Sequence, residues 1–215
     1  QYVLKSAHFD GLDLFVDFNV LIPRPETEEI VFGIVERLGK GFNGRVLDIG
    51  TGSGCIALSL KNRMPEAEVF ATDFSEAALK VASKNAEAYN IKVAFECSDI
   101  LSEVPFKGQS FDAVISNPPY IPSIEKKSMS STVVDHEPSM ALFVPDSEPL
   151  RFYQAIINHC KSEVLLPGGL MAVECHEGFT EDVKELIVSG MGFSTVEILV
   201  DMQGKNRHVI AVKNV

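Results

Sequence analysis

The strongest chemical signal in the sequence is an Asn-Pro-Pro-Tyr tetrapeptide at residues 117–120, directly after an apolar run at 111–116 that is typical of a buried strand. Its two prolines fix the backbone and lack N–H donors, so the carbonyl of Pro118 is left free to accept a hydrogen bond. The side chain of Asn117 adds a second carbonyl acceptor. Two converging acceptors suit an NH2 group on an unsaturated carbon, because each acceptor can take one N–H.

A nitrogen of this kind is a poor nucleophile, because its lone pair is delocalised. Acceptors that hold both N–H groups would orient it towards an electrophilic methyl group and stabilise the positive charge that develops as it becomes tetrahedral. Tyr120 could lie against a planar substrate group and face a cationic methyl donor. The predicted catalytic residues are Asn117, Pro118 and Tyr120, and the predicted substrate contacts are Asn117, Pro118, Pro119 and Tyr120. The alternative interpretation of the tetrapeptide is a rigid polar turn.

A second signal is a glycine-rich segment at 48–54, between a strand-like run at 45–49 and a helical pattern at 55–61. Glycines that alternate with small residues allow the backbone to approach a ligand closely, although a tight strand-to-helix turn is the alternative. The spacing is G-x-G-x-G, whereas a pyrophosphate site has G-x-G-x-x-G. Asp48 would favour a cation, and S-adenosylmethionine carries an ammonium and a sulfonium group. The predicted cofactor contacts here are Asp48, Gly50, Thr51, Gly52, Ser53 and Gly54.

Two further acidic residues follow strand-like runs and could complete a nucleoside site. Asp73 ends the run at 68–72, where a carboxylate can accept both hydroxyls of a ribose, and Phe74 offers an apolar wall for adenine. Asp99 could hold the adenine amino group while Ile100 packs on the ring. Asn117 is also predicted to contact the cofactor. The alternatives are a helix cap for Asp73 and a solvated loop carboxylate for Asp99.

Alternating strand and helix patterns must position these residues. Alternation of this kind predicts an α/β fold, with a mostly parallel, doubly wound sheet covered by helices on both faces. A helix is predicted from Pro25 to the glycines at 39 and 41, and Ser75 is a predicted N-cap. The predicted strands are 45–49, 68–72, 92–97, 111–116 and 170–175. The remaining predicted helices are 55–61, 75–89, 150–165 and 181–189, with a polar loop at 122–138 and a turn at 167–169.

Both ends of the chain have the pattern of an antiparallel hairpin. Asp10-Gly11 lies between apolar-rich runs at 3–9 and 12–18, and supplies the positive φ angles of a tight turn. A C-terminal hairpin is predicted from the runs at 194–201 and 207–213. The first residue is Gln1 rather than Met, which suggests a chain that begins partway into something longer.

Composition limits the function classes. The 215 residues carry 19 basic and 30 acidic side chains, and the net charge of -11 argues against broad phosphate-backbone binding. The 4 cysteines form no C-x-x-C pair, so neither a disulfide scaffold nor a zinc site is predicted, and no metal is expected. A reducing, cytoplasmic setting fits best. No apolar run of about 18 residues predicts a membrane span.

Taken together, these segments resemble the seven-stranded, class I S-adenosylmethionine-dependent methyltransferases, and within them the release-factor glutamine N5-methyltransferases of the HemK/PrmC type. The glycine segment and the Asn-Pro-Pro-Tyr tetrapeptide occur broadly in methyltransferases, whereas Arg-Pro-Glu-Thr-Glu at 24–28 is characteristic of this family. The matching segments are 21–28, 46–54, 116–121 and the pairs 137–138 and 141–142.

The resemblance implies a Rossmann-like catalytic domain with S-adenosylmethionine on the glycine segment, Asp73 and the 99–100 pair. The tetrapeptide would hold the side-chain amide of the glutamine in the Gly-Gly-Gln loop of peptide chain release factors. Arg24 and Thr27 would close over the cofactor, although Arg24 could equally be a surface ion-pair partner. Family members carry an N-terminal helical domain, so residues 1–20 are predicted to be a hairpin linker and 21–215 the catalytic domain.

Three departures from the family pattern occur at Lys5, at 143–146 and at 174–177, and none is expected to touch the site directly, although the last lies at the same sheet edge. His176 is expected to be a loop residue rather than a catalyst. The competing enzyme hypothesis is methylation of an exocyclic amine, adenine N6 or guanine N2, on nucleic acid, which the negative charge disfavours. Two further hypotheses are a binding module that has lost catalysis and a nucleotide-dependent oxidoreductase. No direct nucleic-acid contact and no membrane contact are expected.

Overall fold

The computed structural model describes residues 1–215 and contains eleven strands and seven α-helices. The strands are β1 Ser6–Phe9, β2 Leu12–Phe15, β3 Arg45–Ile49, β4 Glu68–Asp73, β5 Ala94–Cys97, β6 Phe111–Ser116, β7 Ile121–Pro122, β8 Phe143–Val144, β9 Leu165–Glu174, β10 Phe193–Val200 and β11 Asn206–Lys213. The helices are α1 Pro25–Leu38, α2 Cys55–Arg63, α3 Glu76–Ala88, α4 Ser131–His136, α5 Ser139–Leu142, α6 Arg151–His159 and α7 Thr180–Ser189. No helix combines the length and apolar character needed to cross a bilayer.

A seven-stranded sheet in the order β10-β11-β9-β6-β3-β4-β5 carries the fold. The pairs from β9 to β5 are parallel, and β11 is antiparallel to both of its neighbours. The predicted fold class, a doubly wound and mostly parallel sheet with a C-terminal antiparallel hairpin and an N-terminal β-hairpin, is therefore confirmed. In this order the chain runs outward from β3 to β5 and then returns to β6 on the other side of β3.

Both faces of the sheet are covered by helices. Successive residues of a strand point to opposite faces, so neighbouring residues belong to different cores. Val46 and Ala113 belong to a core of 21 buried residues shared with α1 and α2. Their neighbours Leu47 and Val114 belong to a second core of 18 buried residues shared with α6 and α7. Near-continuous apolar strands of this kind are what a parallel sheet between two helix layers requires.

Local sequence signals explain where the first helices begin and end. Pro25 occupies the first turn of α1, where its missing N–H costs nothing, and Gly39 ends the helix at φ 86°. Ser75 caps α3, because its hydroxyl oxygen accepts a hydrogen bond from the N–H of Ala78 at 3.2 Å. Both the predicted start at Pro25 and the predicted N-cap at Ser75 are confirmed.

The N-terminal hairpin packs onto the sheet domain. Asp10 and Gly11 adopt φ angles of 47° and 78°, as the tight turn requires, and the strands are shorter than the predicted runs. The side-chain amide of Asn85 on α3 accepts from the N–H of Phe15 at 2.7 Å and donates to its carbonyl at 3.0 Å. The division into a linker at 1–20 and a catalytic domain at 21–215 stays a prediction.

Three predicted segments differ from the structure. The polar loop predicted at 122–138 contains a 3-10 helix, Ser123–Lys127, and α4. Neither helix buries a residue, so neither requires apolar residues at helical spacing, which is the signal that would have predicted it. The single helix predicted at 150–165 is α6 followed by a π-helical turn, Cys160–Val164. The turn predicted at 167–169 lies within β9, because Leu165 pairs with Phe111 and Leu170 with Ala113, and the residues between them bulge out.

Candidate active site

A cavity of about 320 Å³ opens at the carboxyl ends of the central strands, within the range of roughly 300–1,000 Å³ typical of small-molecule sites. It lies where the strand order reverses between β3 and β6, the position at which open parallel sheets bind ligands. The predicted site residues that line it are Gly50, Thr51, Gly52, Ser53, Asp73, Phe74, Asp99, Ile100, Asn117, Pro118 and Pro119, together with Arg24 and Thr27. Three predicted site residues, Asp48, Gly54 and Tyr120, do not line it.

The glycine loop presents bare backbone to the cavity. Gly50 and Gly52 have φ angles of 74° and 54°, and a Cβ built on either would meet no protein atom within 4 Å. The N–H groups of Gly50 and Thr51 donate to the carbonyl of Thr72 at 2.8 and 3.0 Å, which ties the loop to the end of β4. The space that these missing side chains leave allows a ligand to contact the loop backbone.

Gly54 has a packing role instead. It precedes α2 with φ 85°, and a Cβ there would lie 3.2 Å from Cβ of Ala82 and 3.3 Å from Cδ1 of Leu58. The third glycine of the loop therefore lets α2 approach α3 closely.

We expect Gly54→Ala to destabilise the protein more than Gly11→Ala does. The two glycines have similar φ angles, 85° and 78°, but an added Cβ at Gly11 meets nothing within 4 Å. Both variants lose about 1–2 kcal/mol to the left-handed backbone, and Gly54→Ala loses about 1–3 kcal/mol more to overpacking. Urea unfolding of both variants measures the difference. If the two variants lost the same free energy of unfolding, α2 and α3 would be able to move apart at Gly54 without cost, and the packing role would be wrong.

Asp48 is buried beneath the glycine loop. Its Oδ2 accepts hydrogen bonds from Thr51 Oγ1 at 2.6 Å and from the N–H of Ala57 at 3.2 Å, whereas its Oδ1 has no partner. Burial raises the pKa of Asp48 to about 7, and the nearby Asp73 carboxylate also raises it. The side chain does not reach the cavity wall, so Asp48 can act on a ligand only through the charge of its ionised form, which a nearby cation would favour.

Asp73 lines the cavity and holds the turn between β4 and α3. Its Oδ1 accepts from the N–H of Ser75 at 2.9 Å at the start of α3, and its Oδ2 accepts from the N–H of Gly52 at 2.8 Å. Burial raises the pKa of Asp73. Ser75, not Asp73, is the helix cap, and each carboxylate oxygen of Asp73 still has a lone pair for a further donor such as a ligand hydroxyl.

Asp99 and Ile100 lie on the wall supplied by the segment after β5. Asp99 is half-buried, and its carboxylate accepts from the N–H of Leu101 at 3.0 Å and from Ser102 Oγ at 3.2 Å. The carbonyl of Ile100 lies 3.0 Å from Nε2 of His159, a contact that joins this segment to α6. Phe74 lines the same cavity with 60% of its surface exposed, so an apolar face is available for a flat ligand.

Asn117 and Pro118 bring two acceptors to the cavity. The Nδ2 of Asn117 donates to Thr27 Oγ1 at 3.2 Å, and no hydrogen bond within the chain uses its Oδ1. The carbonyl of Pro118 accepts no backbone hydrogen bond. Ser116 Oγ donates to the carbonyl of Ile49 at 2.7 Å, which joins the end of β6 to the end of β3. The segment that carries the two free acceptors therefore lies beside the glycine loop, and both of its residues line the cavity.

Glu174 corrects the expectation that segment 174–177 does not touch the site. Its Oε2 accepts from Thr27 Oγ1 at 2.7 Å, and its Oε1 accepts from Tyr120 Oη at 3.2 Å. Glu174 ends β9, which lies next to β6, so the ends of these strands meet. Burial raises the pKa of Glu174, although the two hydroxyl donors oppose this shift. The only sequence signal was a carboxylate at the end of an apolar strand.

Tyr120 and His176 both lie outside the cavity wall. The hydroxyl of Tyr120 donates to Glu174 at 3.2 Å, and the role predicted for its ring beside a substrate group stays a prediction. The His176 ring lies 6.2 Å from that of Tyr120, and its Nε2 is 3.3 Å from Glu125. His176 follows β9 as a loop residue.

Arg24 lines the cavity and forms an ion pair as well. Its Nη2 lies 2.6 Å from Oε1 of the buried Glu137, 113 residues along the chain. Pro138, next to Glu137, also lines the cavity. The pair therefore joins the segment before α1 to the segment before α5 at the edge of the site.

Comparison with known proteins gives a consistent result. A family model described as the methyltransferase small domain matches residues 33–137. The chain is 43% identical to the release factor glutamine methyltransferase of Bacteroides thetaiotaomicron, over 98% of this chain and 74% of that protein. It is 38% identical to the release factor glutamine methyltransferase of Flavobacterium psychrophilum, over 97% of this chain and 73% of that protein.

A solved structure agrees with the sequence relatives. The crystal structure of the release-factor-specific protein-(glutamine-N5) methyltransferase of Alicyclobacillus acidocaldarius is 26% identical and superimposes with a TM-score of 0.56, covering 90% of this chain and 95% of that one. Identity of this extent over nearly the whole chain confirms the resemblance carried by the sequence motifs. The chain belongs to the release factor glutamine methyltransferase family.

Proposed function

We propose that this chain transfers a methyl group from S-adenosylmethionine to the side-chain amide N5 of the glutamine in the Gly-Gly-Gln loop of a peptide chain release factor. Membership of the family supports this substrate. The observation that carries the chemistry is the pair of free acceptors, Asn117 Oδ1 and the Pro118 carbonyl, beside a glycine-loop cavity.

The residues around the cavity fit the proposed cofactor. Gly50 and Gly52 leave room for a ligand against the backbone, and Asp73 offers charged acceptors for ribose hydroxyls. Phe74 and Ile100 provide apolar surface for adenine. The buried Asp48 has one oxygen unpaired; burial raises its pKa to about 7, and a cationic ligand nearby would favour its ionised form and be attracted by that charge. When bound, S-adenosylmethionine would supply the methyl group of its sulfonium: the bond from that methyl to sulfur would break, leaving a neutral thioether, and the methylated nitrogen would then lose one proton.

The chain's own part in the reaction is to hold and orient the amide. Asn117 Oδ1 and the Pro118 carbonyl each accept one N–H of the glutamine side chain, so the nitrogen lone pair is directed towards the methyl donor. As the nitrogen becomes tetrahedral, it gains positive charge and its N–H groups become stronger donors. The two acceptors therefore stabilise the transition state more than the ground state, which is the condition for raising kcat.

Nucleic-acid methylation is the competing reaction that the test must separate. The same acceptor pair would suit an exocyclic amine of adenine or guanine, but the chain carries a net charge of -11. Backbone phosphates are bound through clustered Lys and Arg, which this composition does not favour.

The deciding experiment is mass spectrometry of a release factor after incubation with the protein and S-adenosylmethionine. We expect one added methyl group on the glutamine of the Gly-Gly-Gln loop. The matched control is a release factor whose loop glutamine is replaced by alanine, which should remain unmodified. A methyl group found only on nucleic acid in a parallel incubation would overturn the proposal.

A further inference from the structure

The first turn of α1 reaches across to the acceptor that is proposed to hold the substrate amide. Thr27 is 2% exposed and Glu174 1% exposed, and both lie within one hydrogen-bonded chain that ends on Asn117. We propose that Thr27 and Glu174 are positioning residues that fix the orientation of the Asn117 amide, so that its Oδ1 faces the substrate. This inference rests on the proposed function.

The direction of each hydrogen bond follows from the donors available. In its ionised form, which the hydroxyl donors of Thr27 and Tyr120 favour, Glu174 accepts and does not donate, so the 2.7 Å contact between Thr27 Oγ1 and Glu174 Oε2 uses the single hydroxyl hydrogen of Thr27. Thr27 Oγ1 can then offer only lone pairs to Asn117. The atom of Asn117 that lies 3.2 Å from it must be a donor, which is Nδ2.

The opposite amide orientation would set two acceptors against each other. If Asn117 rotated by half a turn, its Oδ1 would face Thr27 Oγ1 without a hydrogen between them, and Nδ2 would be turned towards the substrate. A donor at that position repels the N–H groups that the site is proposed to accept. The chain from Glu174 therefore selects the amide orientation that suits the reaction.

The carboxylate that sets this direction is held firmly. Tyr120 Oη donates to its other oxygen at 3.2 Å, and Glu174 itself ends β9, which is paired with β6 through Ser116 and Val173. His208 lies close, with Nε2 4.0 Å from Glu174 Oε2. Asn117 directly follows β6 and Glu174 ends β9, so the two residues lie at the ends of neighbouring strands.

The test compares substitutions that differ only by the hydroxyl at position 27. Thr27→Val keeps the branched shape and removes the hydroxyl, and we expect kcat to fall about tenfold while the Kd for S-adenosylmethionine and the KM for the release factor change less than about twofold. Thr27→Ser and Thr27→Ala form a second matched pair, which stands on its own if valine disturbs packing. Thr27→Ser should retain kcat close to that of the unchanged protein, and Thr27→Ala should lose it.

A double substitution separates positioning from general structural support. If Thr27 acts through Asn117, then Thr27→Val should not lower kcat further in an Asn117→Ala background. A full further loss there would overturn the inference, and so would weaker cofactor binding in place of a lower kcat. Failure of the unchanged protein to methylate the release factor would instead contradict the proposed function, so the two failures are distinguishable.

Discussion

Replacing Asn117 with alanine is expected to lower kcat for glutamine methylation by roughly 10²- to 10³-fold, with the Kd for S-adenosylmethionine changed by less than about threefold. The magnitude is the one found when a single preorganised group that stabilises transition-state charge is removed from an active site. Asn117 Oδ1 is free of partners within the chain, so its loss leaves one N–H of the substrate amide unheld. Methylation rates under cofactor saturation and calorimetric titration measure the two constants.

Asn158→Ala is the matched control for this substitution. Asn158 lies on α6 with its side chain exposed, bonded only to Gln154, and is absent from the cavity wall. It should leave both constants unchanged. If Asn117→Ala weakened cofactor binding as much as it lowered kcat, Asn117 would be a cofactor contact rather than the acceptor proposed for the substrate.

Replacing Asp73 with alanine should have the opposite profile. We expect the Kd for S-adenosylmethionine to rise roughly 100-fold, because hydrogen bonds to a charged acceptor contribute about 1.5–3 kcal/mol. Under saturating cofactor, kcat should stay within a few-fold of its original value, since Asp73 lies at the end of β4 and its hydrogen bonds go to Gly52 and Ser75 rather than to Asn117.

A deoxyribose analogue distinguishes this role from damage to the glycine loop. Asp73 also accepts from the N–H groups of Gly52 and Ser75, so its loss could loosen the loop without any ribose contact. The product of the cofactor can be compared with an analogue that lacks its ribose hydroxyls. The unchanged protein should bind the analogue more weakly than the normal product, whereas Asp73→Ala should bind the two with the same affinity. An equal penalty in both proteins would show that the hydroxyls are recognised elsewhere.

The sequence by itself was sufficient for the elements whose signals are local. The glycine loop, the turn at Asp10 and the cap at Ser75 depend on φ angles and side-chain donors within a few residues, and each was predictable from neighbouring positions. The apolar runs of β3 and β6 likewise show that both faces of the sheet are covered. The cavity residues after these strands could be predicted because parallel strands end at one edge.

The tertiary structure alone decided which distant residues meet. Thr27 and Glu174 are 147 residues apart, and Arg24 and Glu137 are 113 apart, so no spacing in the sequence pairs them. Their contacts depend on the strand order, which sets β9 beside β6, and on how α1 packs against that edge. The orientation of Tyr120 also follows from Glu174. A hydrogen bond between distant elements forms only where the backbone brings its donor and its acceptor together, and the assembled sheet determines those positions.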